Sequence, residues 1–345
     1  MAAESIAEIS NCEIRVFWGD GVAKCCMCAR GASGMVDFES SLSMLGDVMA
    51  CSKIDPALHQ LKKPDWIRVR LPSNPVFFST KALVSDLKLH TVCEEAQCPN
   101  RWECWSQGTA TFMIAGDRCT RACGFCAVTT AKPFALEEDE PQRVAEAVRR
   151  MRLKHVVVTA VARDDLKDGG AEHFARTIRA IRDLDAAIVV EVLTPDFHGR
   201  DENLRSVTDA NPQIFNHNLE TVERLTPMVR SRAKYRLSLK VLALVKEIAP
   251  GITTKSGLML GLGEQETEIF QAMDDLRDAG VQVLTMGQYL RPSPQHLPVV
   301  EYIRPEVFEQ YREIAYSKGF EYVASGPLVR SSYHAADYTP GAKRH

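Results

Sequence analysis

Six of the eleven cysteines fall within 34 residues, in two triplets. Cys93, Cys98 and Cys104 read C-x4-C-x5-C, Cys119, Cys123 and Cys126 read C-x3-C-x2-C, and no cysteine follows them. Thiolates at this density act as disulfide partners, zinc ligands or iron-sulfur ligands. A cubane 4Fe-4S cluster takes one ligand per iron, so three cysteines on a short loop hold three irons and leave the fourth open to a reactant. The C-x3-C-x2-C spacing is not a common zinc pattern, although a distant His or Cys would complete such a site.

Composition narrows these choices. With 345 residues the chain has ample core without disulfide staples, and its 45% hydrophobic and 25% charged content match an ordinary globular protein. No apolar run reaches the roughly 18 residues needed to span a bilayer. A net charge of -3 provides no global basic field for nucleic acid. Residues 1–50 hold seven acids and three bases, which fits neither a secretory signal nor an Arg-rich transit peptide. A reducing, cytoplasmic setting is therefore expected, where clustered cysteines are metal ligands or catalysts rather than disulfides.

The elements that must position these thiols are legible as alternating patterns. From about residue 110 to 325, β-branched runs (111–115, 155–161, 188–193, 213–216, 256–260 and 283–289) alternate with helical spacing such as Val144, Val148 and Met151, or Phe174, Ile178 and Ile181. Six β/α units of a parallel α/β sheet follow, with the chemistry expected on the loops at the strands' C-terminal ends. The second triplet comes directly after the first strand, at that edge. A further helix over 305–318 and a strand-like run over 321–324 lead to the tail Arg330-Ser331-Ser332-Tyr333. Four segments are expected: an extension over 1–60, with five cysteines and no assigned fold; a triplet-bearing lead over 61–110, of loops and short helices; the β/α array over 111–325; and a tail over 326–345.

Cys119-Thr-Arg-Ala-Cys123-Gly-Phe-Cys126, with Phe125 before its last cysteine, resembles the cluster loop of the radical S-adenosylmethionine (radical SAM) superfamily. The run from His90 through Cys93, Cys98 and Cys104 to Trp105, together with the Arg330 to Tyr333 tail, resembles the lipoyl synthase family over about residues 64–337. The resemblance implies a partial (β/α)6 TIM-type barrel with N- and C-terminal extensions, S-adenosyl-L-methionine and two 4Fe-4S clusters. Cys119, Cys123 and Cys126 would hold the SAM-binding cluster; Cys93, Cys98, Cys104 and Ser332 would hold an auxiliary cluster given up as a sulfur source. The activity implied is that of a sulfurtransferase, placing sulfur at C6 and C8 of a protein-bound octanoyl-lysine. Octanoylated lipoyl carrier domains (2-oxoacid dehydrogenase E2 subunits, glycine cleavage H protein) and a low-potential donor such as ferredoxin or flavodoxin are the implied partners, without nucleic acid or membrane. Two relatives that handle sulfur differ in pattern: biotin synthase draws auxiliary ligands from inside its barrel, and methylthiotransferases carry an RNA-binding domain. A zinc-stabilised binding protein is the alternative from another class.

Weaker signals accompany these. Gly169 and Gly170 follow the second strand, and Gly261 closes the Gly257-Leu-Met-Leu-Gly261 run; each is either a SAM contact or a turn and packing glycine. Asn216-His217-Asn218 ends the fourth strand, with His217 expected to be structural rather than catalytic. Arg230, Arg232, Lys234 and Arg236 form a basic stretch expected on a solvated face. A radical must meet a cluster sulfide almost in contact, so both triplets are expected to flank one cavity.

Overall fold

The computed structural model describes residues 5–9, 12–19, 22–27, 61–68, 75–107, 109–333 and 335–338, and the chain divides into two units, Met1–Asp55 and Pro56–His345. In the first unit, β1 (Ser5–Ile9), β2 (Cys12–Gly19) and β3 (Val22–Met27) form an antiparallel sheet in that order. No fold was expected here. The local signal is Asp20-Gly21, a dipeptide that favours tight hairpins, between the paired Gly19 and Val22. Cys28 and Cys51 lie outside the described residues.

The second unit is an open eight-stranded sheet flanked by helices. Its strands are β4 (His90–Thr91), β5 (Thr111–Ile114), β6 (His155–Ala160), β7 (Val189–Leu193), β8 (Ile214–Asn216), β9 (Thr253–Leu260), β10 (Val283–Gln288) and β11 (Tyr322–Gly326), and they neighbour one another in chain order. All neighbours from β5 to β11 are parallel, while β4 runs antiparallel to β5. The crossover helices are α4 (Glu140–Met151), α5 (Ala171–Arg182), α6 (Asp201–Asp209), α8 (Tyr235–Ile248), α9 (Glu266–Asp278) and α10 (Pro305–Ser317), giving the six expected β/α units. The run expected over 321–324 becomes a seventh parallel strand. Three short helices, α1 (Pro75–Asp86), α2 (Val92–Glu95) and α3 (Arg101–Ser106), precede β5, and α7 (Thr226–Val229) precedes α8.

Local chemistry explains these boundaries. Pro141 stands in the first turn of α4, where its missing N–H costs nothing, and Arg149 and Arg150 complement the dipole in the last turn. Gln265 and Glu268 make a capping box on α9. Strands covered by helices read as continuous apolar runs, so every residue of β5 and of β10 is buried. One core lies between β5–β8 and α4–α6, and another beneath β9–β11 and α9–α10; α8 borders both, through Val241 and Val245 on one side and Leu239 and Leu242 on the other.

Alternation along β7 sends Val190 and Val192 to the helix side and Glu191 to the lumen of the partial barrel. There Glu191, fully buried, meets Lys255 Nζ from β9 at 2.7 Å and His155 Nε2 from β6 at 3.3 Å. Burial alone would raise the carboxyl's pKa, but Lys255 and His155 outweigh it and lower it.

Candidate functional site

The second triplet sits on the loop that leaves β5, among partners from other βα loops. Cys119 N–H donates to Thr129 O at 2.9 Å, Gly124 N–H to Val229 O at 2.9 Å, and Leu297 N–H to Gly124 O at 2.9 Å. His296 Nε2 lies 2.9 Å from Cys126 O. Arg121, within the loop, is gripped by Asp164 and Asp196 from the loops after β6 and β7.

The first triplet is built by short elements. Thr91 caps α2 by accepting from Glu94 N–H at 3.3 Å, placing Cys93 in that helix. Cys98 N–H returns to Cys93 O at 3.1 Å, and Cys104 lies on α3, where Thr109 Oγ1 donates to its carbonyl at 2.9 Å. Phe77, Trp102 and Trp105 pack around it, with Phe77 stacked on Trp102 at 4.8 Å.

The tail crosses to this segment from the far end of the chain. Asn100 Nδ2 donates to Leu328 O at 2.6 Å, Asn218 Nδ2 to Ser331 Oγ at 2.6 Å, and Tyr333 OH to both Glu103 carboxylate oxygens at 3.1 Å. Ser332 lies between the last two of these ties.

Two adjoining cavities result. The smaller, about 120 Å³, is lined by Cys93, Cys98, Cys104 and Ser332, with His155 and Arg330 in its wall. The larger, about 320 Å³, is lined by Cys98, Cys126, Ser331 and Ser332, and by Asn218, Glu220, Met259 and Tyr289 among others. Cys98, Arg330 and Ser332 belong to both walls, and the larger cavity takes one cysteine from each triplet, Cys98 and Cys126. Cys119 and Cys123 do not line it.

The six cysteines of the two triplets are all free. Burial pushes Cys93 up to about 11 and Cys104 and Cys126 to about 12, and raises Cys98 and Cys123. Reactive cysteines have depressed pKa values, so these five are poor nucleophiles that lose their protons on binding a metal. The donor set fits iron-sulfur ligation in a second respect. The buried indole N–H of Trp105 is spent on no oxygen or nitrogen acceptor and lies beside Cys93, whose charged form it favours; such donors to sulfur accompany clusters. Among the described residues no three His, Cys, Asp or Glu side chains close on a single metal ion. A cubane makes a different demand, one ligand on each separate iron.

The other residues singled out from sequence divide. Gly169 and Gly170 have φ of +64° and +89°, Gly170 standing at the N-terminus of α5. Gly261 has φ +101°, and a side chain there would strike Gln288 Nε2 and the Glu301 carbonyl. None of the three lines the larger cavity, whereas Gly257 and Gly287 do. His217 is 1% exposed, donating from Nδ1 to Thr194 O at 2.8 Å and accepting at Nε2 from Ser238 Oγ at 2.9 Å, an arrangement for neutral imidazole. The basic stretch does not share one face: Arg230 is buried and donates to Asn218 O and Leu219 O, while Arg236 is exposed and pairs with Glu223.

Sequence reasoning missed Glu220. It lines the larger cavity at φ +67°, sparsely populated for a side-chain-bearing residue, and takes a hydrogen bond from Asn218 at 3.0 Å. Burial raises its pKa, with Arg230 opposing. Its one signal was position, four residues beyond the end of the fourth strand.

Residues 113–282 match the model of the radical SAM superfamily. The chain is similar to lipoyl synthase of Rubrobacter xylanophilus, 55% identical over 82% of this chain and 88% of the relative. Lipoyl synthase of Geobacillus thermodenitrificans is 57% identical over 80% and 93%, and that of Thermus thermophilus 54% over 85% and 94%. Among solved structures, methylornithine synthase aligns over 73% of this chain and 82% of that one, with TM-score 0.49 and 10% identity.

Proposed function

This chain belongs to the lipoyl synthase family of the radical SAM superfamily, and on that premise we propose that it inserts sulfur at C6 and C8 of an octanoyl chain borne on a lysine of a lipoyl carrier domain. When bound, a 4Fe-4S cluster with SAM supplies the hydrogen-abstracting radical and a second 4Fe-4S cluster supplies the sulfur. Cys119, Cys123 and Cys126 hold the first; Cys93, Cys98, Cys104 and Ser332 hold the second.

What supports this reading above all is the cavity whose wall includes Cys98, Ser332 and Cys126 together. An unactivated methylene offers no proton to a general base, so the side chains contribute position and water exclusion rather than acid-base catalysis. Phe125, Leu258, Met259, Tyr289 and Val329 give that cavity apolar walls suited to an acyl chain. The serine oxygen is a weaker iron ligand than thiolate, which suits a corner that must be released. Gly169, Gly170 and Gly261 serve through the backbone and packing geometry they permit. The octanoyl carriers are E2 subunits of 2-oxoacid dehydrogenases or the glycine cleavage H protein, and electrons come from a ferredoxin or flavodoxin near about -400 mV. A reducing cytoplasm suits the free thiols; no described helix is long and apolar enough to cross a membrane.

The test is anaerobic conversion of an octanoylated carrier peptide to its dithiol form, with iron counted on the same sample. About eight irons per chain and a dithiol product are expected; about four irons, or octanoyl peptide returned unchanged, would overturn the reading.

A further inference from the structure

Between Cys119 and Cys123 stands a guanidinium that grips two carboxylates at once. Arg121, its side chain 10% exposed, places Nε 2.9 Å from Asp164 Oδ2 and Nη2 2.7 Å from Asp164 Oδ1. On its other side Nη1 lies 2.6 Å from Asp196 Oδ2 and Nη2 2.9 Å from Asp196 Oδ1. One side chain thus ties together the loops that follow β5, β6 and β7.

Each carboxylate is fixed in turn. Thr120 Oγ1 donates to Asp164 Oδ2 at 2.9 Å and accepts from Asp164 N–H at 3.1 Å, while Asp196 Oδ1 accepts from His198 N–H at 3.0 Å. His198 Nε2 lies 3.8 Å from Asp164 Oδ1. Burial opposes charge on Arg121, yet the hydrogen bonds of Asp196 and Asp164 outweigh it and raise the pKa; the same contacts hold Asp196 down to about 2 against its own burial. All three groups therefore remain ionised at neutral pH.

Stability alone explains such a set poorly, because a buried ion pair is often no better than well-packed apolar residues of like volume. It provides direction instead. Two forks in one plane demand a guanidinium, and lysine cannot supply them. The fixed backbone has a specific consequence: Arg121 N–H points at Cys119 Sγ, 3.4 Å away.

We infer that Arg121 is a positioning residue for the SAM-binding cluster: its double fork to Asp164 and Asp196 sets the path of the loop, so that Cys119 and Cys123 offer their sulfurs at the spacing a cluster requires. This rests on the reading that Cys119, Cys123 and Cys126 hold that cluster.

The experiment compares the anaerobically reconstituted parent with R121K, using the auxiliary cluster as an internal control. In R121K the auxiliary cluster is retained, the reduced first cluster changes its paramagnetic resonance line shape and no longer responds to SAM, and 5′-deoxyadenosine formation falls about a hundredfold, the order expected of a ~1 Å misplacement. A parent-like spectrum with cleavage within about twofold of the parent overturns the inference. If R121K loses both clusters, Asp164→Asn decides, since it weakens one fork and leaves the other. An altered first-cluster spectrum beside an unaltered auxiliary one then supports the inference, and two unaltered spectra overturn it. Cys123→Ala, run in parallel, separates the premise: persistent SAM cleavage there would sink the assignment of the first cluster itself.

Discussion

The two cysteine triplets are held by different means. The second lies on one continuous loop, braced by a buried guanidinium between two carboxylates and by backbone hydrogen bonds to Val229 and Leu297. Around the first, the oxygen of Ser332 arrives on a tail tied down by the neutral amides of Asn100 and Asn218 and by the exposed hydrogen bond of the Tyr333 phenol to Glu103. Charge-assisted forks are roughly twice as strong as neutral hydrogen bonds and leave little angular freedom. A neutral bond contributes only about 1 kcal/mol net, so the tail is the more easily displaced of the two holdings. On the proposed chemistry, the first cluster must survive each turnover and the auxiliary one must open.

The largest expected effects separate the two sites outright. Cys123→Ala should abolish 5′-deoxyadenosine formation, whereas Ser332→Ala should preserve it while removing dithiol product. Measuring both products on both variants checks the comparison, and equal losses in the two would break it.

A second contrast comes from the charges inside the barrel. Lys255→Met leaves Glu191 buried with His155 and the Asn216 amide as its partners, a change costing about 3–5 kcal/mol in global stability. Chemical denaturation measures that cost. Because His155 also lines the smaller cavity, auxiliary iron should be lost at lower denaturant than iron of the first cluster; simultaneous loss would show that the lumen charges serve both sites alike.

How much of this was legible in the sequence depends on the range of the interactions. The alternation of Val156, Val157 and Val158 with helical spacing in α5 is local, and so were the six β/α units. The short connection between Ile114 and Cys119 sufficed to place the second triplet at the strands' C-terminal edge. The lumen set of His155, Glu191 and Lys255 was hidden, because three polar residues on three strands have no shared pattern along the chain. Arg230 was misread for the same reason. In sequence it belongs to a basic run, but in space its partners are the carbonyls of Asn218 and Leu219 at the end of another strand. Glu220 had only its place just beyond the fourth strand to mark it, and its left-handed backbone is one that no sequence rule anticipates.

Acid should weaken the firmly held side. His217 packs near Asp196 and Arg121, and burial, with Arg230 beside it, lowers its pKa to about 4. An unfolded histidine titrates near 6.5, so between about pH 6.5 and 4 the unfolded chain binds the extra proton and stability declines as pH falls, by about 3 kcal/mol at most. The thermal midpoint of the parent should decline across that window, and His217→Gln, which can still bond Thr194 and Ser238, should flatten the decline. Equal slopes for the two proteins would remove His217 from the account.

The smallest effect concerns the tail. Burial, with Glu103 adjacent, raises the Tyr333 phenol to about 12, so it remains a donor to that carboxylate throughout the neutral range. Tyr333→Phe deletes this tie while keeping the ring. With Asn100 and Asn218 still holding on either side of Arg330, docking should weaken by about 1 kcal/mol, a factor of about five. The measurement is the rate at which a chelator strips iron from each cluster: auxiliary iron should leave about fivefold faster than in the parent, with first-cluster iron unchanged. If both rates rise together, the tail protects the whole cavity rather than one corner of it, and the distinction between a braced site and a releasable one would have to rest on Arg121 alone.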